Sequence, residues 1–182
     1  MKTAQISYAR LGAHFILALM LASVLGSLVQ THLNLLAITQ LIGAVSVADW
    51  LTTCGFDLIH FAPLLALIYL PVLLVALVLL RFLPRRFLLP RNQHYRAFAF
   101  FLAPALLLYV ALTAINWLAP MPTLIAANRD LLGTLLLMAS LGLGGLWFSH
   151  LNQRARWGAA LDEGGREGDD EGNSQVNKRE AP

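Results

Sequence analysis

Cysteine is nearly missing from this chain. Cys54 stands alone, so there is no intramolecular disulfide and no CxxC pair, which rules out the four-span thiol oxidoreductases that pass electrons from cysteine pairs to quinone. Charge is scarce too: 13% of the 182 residues are charged, against about 25% in an ordinary soluble domain. The shortage is uneven. Residues 11 to 151 carry nine charges in 141 positions, whereas residues 152 to 182 carry twelve in 31. A soluble enzyme and a nucleic-acid binder both fit this pattern badly, and the basic residues form no continuous patch that would hold an anionic polymer. Phosphate loops are lacking, as is any serine with a histidine and an acid at a recognisable spacing. Nothing positive points to catalysis.

What the chain does have is apolar length. Hydrophobic side chains make up 58% of it and the mean hydropathy is +0.65. A helix rises about 1.5 Å per residue and the hydrocarbon layer is about 30 Å thick, so a span needs roughly 20 apolar residues. Four stretches qualify: about 11–28, 63–80, 97–118 and 131–151, none with an ionised side chain in its interior. In lipid such helices satisfy their own backbone hydrogen bonds. The fold class expected is an all-α integral membrane protein, a four-helix transmembrane bundle over residues 1–157. A cleaved signal peptide ending near Ala22-Ser23 is the alternative for the first stretch, but its apolar run continues past those small residues.

Orientation follows from lysine and arginine on the flanks. Lys2 and Arg10 precede span one, Arg81, Arg85, Arg86, Arg91 and Arg96 lie between spans two and three, and Arg154 and Arg156 follow span four. Arg166, Lys178 and Arg179 join them in the tail, so all but one of the 13 basic residues fall on one side, the exception being Arg129. Both termini are expected in the cytoplasm. The arginine-rich inner loop reads as an anchor to anionic lipid.

The outer connection from Gln30 to Ala62 is no polar linker. Ser46 and Asp49 have capping-box spacing, and Val47, Trp50, Leu51, Cys54 and Leu58 then recur at helical intervals, which predicts an interfacial amphipathic helix. From Gly158 to Pro182 the chain has five glycines, seven acids and three bases. Such a segment buries too little apolar area to offset its ordering entropy, so a disordered cytoplasmic tail is expected.

Several side-chain patterns inside the spans bear on function. Ala18, Ala22 and Gly26 follow His14 at intervals of four, a row of small residues that admits a neighbouring backbone, and Ala139, Ser140, Gly142, Gly144 and Gly145 give span four a similar surface. Tight contact between spans one and four is expected, with a dimer interface as its rival. Ser23, Ser27 and Gln30 form an i, i+4, i+7 stripe on span one. Tyr109, Thr113 and Asn116 repeat that spacing on span three, with Tyr69 at comparable depth on span two. If the stripes face inward they line a polar pocket in the outer half, for a quinone head, lipid or small polar molecule; otherwise they are interhelical hydrogen bonds. Above them lie Asp57, His60, Arg129 and Asp130, and Arg129 is expected to pair with Asp57. Metal binding by Asp57, His60 and His32 lacks a tight motif, so no metal is expected. His14 and His150 stand at similar depth near the inner ends of spans one and four, as haem ligands do. Interfacial histidines are ordinarily hydrogen-bonded to water or headgroups, and no cofactor is expected.

The run Phe56-Asp57-Leu58-Ile59-His60-Phe61-Ala62-Pro63-Leu64 entering span two, with Ala126-Ala127-Asn128-Arg129 before a glycine-bearing span four, resembles uncharacterised four-span proteins of bacterial inner membranes. That resemblance covers most of residues 11 to 151. It implies the four-span layout and the inner membrane as location, with no activity to transfer. The function expected is a scaffold or anchor subunit that contacts the lipid bilayer and either a membrane or periplasmic protein partner or further copies of itself. The alternative is a quinone- or redox-linked subunit using the outer pocket; a small-solute transporter is disfavoured, because no ionisable residue lies at mid-membrane.

Overall fold

The computed structural model describes residues 7–82, 93–118 and 130–154. These form four helices: α1 (Tyr8–Ile42), α2 (Val47–Phe82), α3 (Gln93–Leu118) and α4 (Leu131–Arg154). All four are long and apolar enough to cross a membrane. The tail from Gly158, the arginine-rich stretch 83–92 and Arg129 lie outside the described residues.

Local chemistry sets the helix ends. α1 stops at Gly43, whose φ of 93° is the left-handed conformation that glycine adopts without a Cβ penalty, and whose N–H donates to the Thr39 carbonyl at 3.1 Å. α2 starts four residues later, at Val47, behind the capping pair expected from Ser46 and Asp49. The Asp49 N–H donates to Ser46 Oγ at 3.2 Å, and the Ser46 hydroxyl donates to the Asp49 carboxylate at 2.6 Å. Asp130 opens α4, its carbonyl accepting from both the N–H and the hydroxyl of Thr134 at 3.0 Å.

Residues 47–58, where a separate interfacial helix was expected, form the first turns of α2, and residues 29–42, expected mostly in the outer connection, continue α1. α2 runs unbroken through Pro63 and Pro71 into the second span. Proline removes one donor and presses on the preceding turn, yet a membrane helix tolerates it where neighbouring groups make up for the loss. The consequence is a pair of very long helices. At about 1.5 Å per residue, the 35 residues of α1 and 36 of α2 reach about 52 and 54 Å, whereas α3 and α4 reach about 39 and 36 Å.

Neighbouring helices run antiparallel. Thr31 meets Asp57 and Gly26 meets Leu65 and Tyr69 between α1 and α2; Gly144 meets Ala18 and Ala22, and His14 meets Asn152, between α1 and α4; Gly142 meets Phe101 and Phe100 meets Phe148 between α3 and α4. With α2 also packed on α3, this is an up-down-up-down bundle. Close approach through small residues, expected for spans one and four, holds there and on the other flank of α4 as well. A Cβ on Gly144 would lie 2.8 Å from the Ala18 carbonyl oxygen and from Ala22 Cβ, and one on Gly142 would lie 2.8 Å from the Phe101 carbonyl oxygen.

Polarity is inverted relative to a soluble protein. Ser23, Ser27, Gln30, Thr31, Thr134 and Ser140 are buried, while Ile16, Met20, Leu67, Leu74, Leu106 and Leu143 are exposed. Such an outer surface suits contact with lipid chains.

Candidate functional site

A column of polar side chains runs through the half of the bundle nearest the Gly43 turn. At its base Tyr69, 1% exposed, places its hydroxyl 2.9 Å from Ser140 Oγ and 3.3 Å from the Leu137 carbonyl oxygen, to which Ser140 also donates at 2.7 Å. Gly26 makes room for this pair, since a Cβ there would lie 2.8 Å from Tyr69 Oη and 3.2 Å from Ser140 Oγ. At the next residue of α1, Ser27 is fully buried, and its Oγ has no hydrogen-bond partner among the described residues. Ser23 lies on the other side of Gly26 and donates to the Leu19 carbonyl at 2.8 Å. Gln30 is buried above Ser27, and Thr134 of α4 is buried as well.

Thr31 caps the column. Its Oγ1 is 2.6 Å from Asp57 Oδ2 and 2.9 Å from the Ser27 carbonyl oxygen. A hydroxyl has one hydrogen, so Thr31 serves one acceptor well and shares weakly with the other. The shorter contact to a carboxylate is the stronger of the two. Asp57, toward the Gly43 end of the bundle, is therefore held by a neutral donor on α1. Removing that donor leaves a half-buried carboxylate short of a partner. Thr31→Val is expected to lower stability by about 1 kcal/mol and Thr31→Ser to recover most of it, measured by thermal unfolding in detergent micelles. Equal melting of Thr31→Val and the unsubstituted chain would reject the assignment.

The remaining expected site residues separate. Tyr109 is 49% exposed, Thr113 and Asn116 are exposed too, and the Thr113 hydroxyl donates back to the Tyr109 carbonyl at 2.8 Å. The span-three stripe thus faces away from Ser23, Ser27, Gln30 and Tyr69, and the two stripes line no common pocket. His60 is exposed. It stacks on Phe56 at 4.0 Å, with Nδ1 2.9 Å from the Phe56 carbonyl oxygen. His32 instead meets Trp50 edge-on at 4.7 Å. Asp130 is exposed at the start of α4, and the proposed Asp57–Arg129 pair falls outside the described residues.

At the opposite end of the bundle His14 Nδ1 lies 2.9 Å from Asn152 Oδ1, so that nitrogen carries the hydrogen in this pair. His150 is exposed beside Trp147, ring centres 6.0 Å apart. It stands two residues from Asn152, about 200° around the helix. The two histidines therefore do not face one another.

No family model, curated protein or solved structure matches the chain. The chemistry is read from its own residues. Thr31, Ser140 and Asn152 were absent from the expected polar site, yet each holds a helix contact. Thr31 had a signal, standing four residues after Ser27 on the same stripe. Ser140 lay within the small-residue surface of span four, where its size masked its hydroxyl. Asn152 had none, because a contact across 138 residues leaves no local periodicity.

Proposed function

We propose that the chain is a multi-pass protein of a bacterial inner membrane that works as a scaffold or anchor, presenting the α1–α2 hairpin to a membrane or periplasmic protein partner. One observation carries this reading. From the layer of Gly26 and Ser140, α1 runs 16 residues toward the Gly43 turn, about 24 Å, while α4 runs nine, about 14 Å. The hairpin overtops α4 by about 10 Å. Along that projection Leu41, Val47 and Leu51 are 84%, 76% and 70% exposed. A hydrocarbon layer of about 30 Å cannot cover all of a helix some 52 Å long, and apolar side chains at or above the headgroups favour a partner. On this reading the first turns of α2 lie in the outer interface and the column beneath is structural glue.

Two experiments test it. A photo-crosslinking amino acid at Leu41 or Leu51 in intact membranes is expected to give a discrete protein adduct, while one at Leu67 gives lipid adducts. Lipid alone at all three positions would overturn the scaffold reading. Reporter fusions in the 43–46 turn, within 83–92, within 119–129 and after Arg154 are expected to read outside, inside, outside, inside, because all but one of the basic residues flank the termini side. An outside signal within 83–92 would reverse the topology.

A further inference from the structure

We propose that the groove between α2 and α3 is a binding site for one anionic phospholipid of the leaflet on the termini side, with an acyl chain in the groove and the phosphate on Arg96. The groove has a volume of about 280 Å³ and is walled by Ala76, Leu79 and Leu80 of α2 and by Ala103, Leu107 and Val110 of α3. It falls just under the roughly 300–1,000 Å³ typical of compact ligand pockets and is almost wholly apolar. A slim hydrocarbon chain fits it; a ring-bearing cofactor with polar groups has nothing there to bond.

Arg96 supplies the other half of the amphiphile. It shares the α3 stripe with Ala103, Val110 and Leu107, seven, fourteen and eleven residues away. Its Nε is buried and has no hydrogen-bond partner among the described residues. A guanidinium whose N–H is withdrawn from water without an acceptor is poorly placed unless an anion meets it, and its planar fork matches a phosphate. The spacing fits as well. From Val110 to Arg96 is about 21 Å along the helix, against about 15 Å of hydrocarbon per leaflet and about 20–22 Å with its headgroup layer. Long side chains on a helix lean toward its N-terminus, which for Arg96 is the direction of the interface.

This inference rests on the reading that the helices span a bilayer, and the experiment separates the two. Carbonate extraction of membranes tests the spanning: a protein released into the soluble fraction fails that reading, whereas one retained leaves the lipid site to be judged on its own. The full chain is then purified in mild detergent, titrated with phosphatidylglycerol or phosphatidylcholine and read by native mass spectrometry. One phosphatidylglycerol per chain is expected, retained about fivefold better than phosphatidylcholine, since a basic side chain near the headgroups contributes about that factor. Arg96→Gln is expected to erase the preference while phosphatidylcholine retention holds. Ala103→Phe, which fills the groove without touching charge, is expected to lower retention of both lipids. Glycerol phosphate, the head without chains, is expected to leave retention unchanged; displacement by it would mean that Arg96 binds phosphate alone. Equal retention of the two lipids by the unsubstituted chain overturns the proposal even if neither variant folds, and so does unaltered retention in both folded variants.

Discussion

Gly145→Leu is expected to abolish the folded bundle, and Gly145→Ala to lower its stability by at least about 2 kcal/mol. A Cβ at that position would meet the Phe100 carbonyl oxygen and, at 2.8 Å, Pro104 Cγ. Neither is the free end of a flexible side chain. One is backbone of α3 and the other a ring fixed to that backbone, so relief requires α3 and α4 to separate along their whole contact. Overpacking a well-filled interior typically costs about 1–3 kcal/mol, and an obstacle made of main chain lies at the top of that range. The control uses the same chemistry where no neighbour stands. A Cβ on Gly12 or Gly55 would meet nothing within 4 Å, and alanine in a helix interior is favoured over glycine by roughly 1 kcal/mol. Gly12→Ala and Gly55→Ala are therefore expected to be neutral or stabilising. Thermal unfolding in micelles, followed by helical circular dichroism, reads all four. A Gly145→Ala variant that melts with the unsubstituted chain would show that the α3–α4 contact is looser than described.

That contrast also marks what the sequence makes legible. The spans are visible because each is a long run without charge, and a burial preference summed over some twenty residues outweighs local accidents. Close contact of the first and last spans is visible in the four-residue spacing of Ala18, Ala22 and Gly26. The start of α2 is visible in the Ser46/Asp49 pair, where the chemistry lies within three residues, whereas the run of α1 past residue 28 to Gly43 was not expected. The continuity of α2 was harder to see, because Pro63 reads as a boundary in water and loses that force when flanking helices support the backbone. The facing of the polar stripes could not be read at all. Ser23, Ser27 and Gln30 share a period with Tyr109, Thr113 and Asn116, yet the first set is buried and the second exposed. Periodicity fixes which residues share a face; which way that face turns depends on the neighbours, here on Gly142 and Gly145 drawing the Phe100–Phe101 side of α3 against α4.

Tyr69→Ala is expected to cost about 3–5 kcal/mol, the range for removing a large, fully buried ring. Tyr69→Phe is expected to cost far less, near the average of about 0.6 kcal/mol for an interhelical hydrogen bond in a membrane and below its maximum of about 1.7. The ratio decides what Tyr69 does. Its ring belongs to the core cluster that also holds Leu65, Leu73, Leu137 and Leu141, and its hydroxyl adds direction by choosing Ser140. Gly26 gives an independent handle on that hydroxyl. In Gly26→Ala the new methyl collides with Leu65 Cδ2 at 2.6 Å and Tyr69 Oη at 2.8 Å. Taking the hydroxyl away removes the second obstacle and leaves the first, which is the end of a flexible side chain and can turn aside, together with the milder approach to Ser140 Oγ at 3.2 Å. Gly26→Ala should therefore cost less in a Tyr69→Phe background than alone, a coupling that thermal unfolding of the two single variants and the double variant measures directly. Strict additivity would mean that Gly26 does not exist to admit the Tyr69 hydroxyl, and that the base of the polar column is held by ring packing alone.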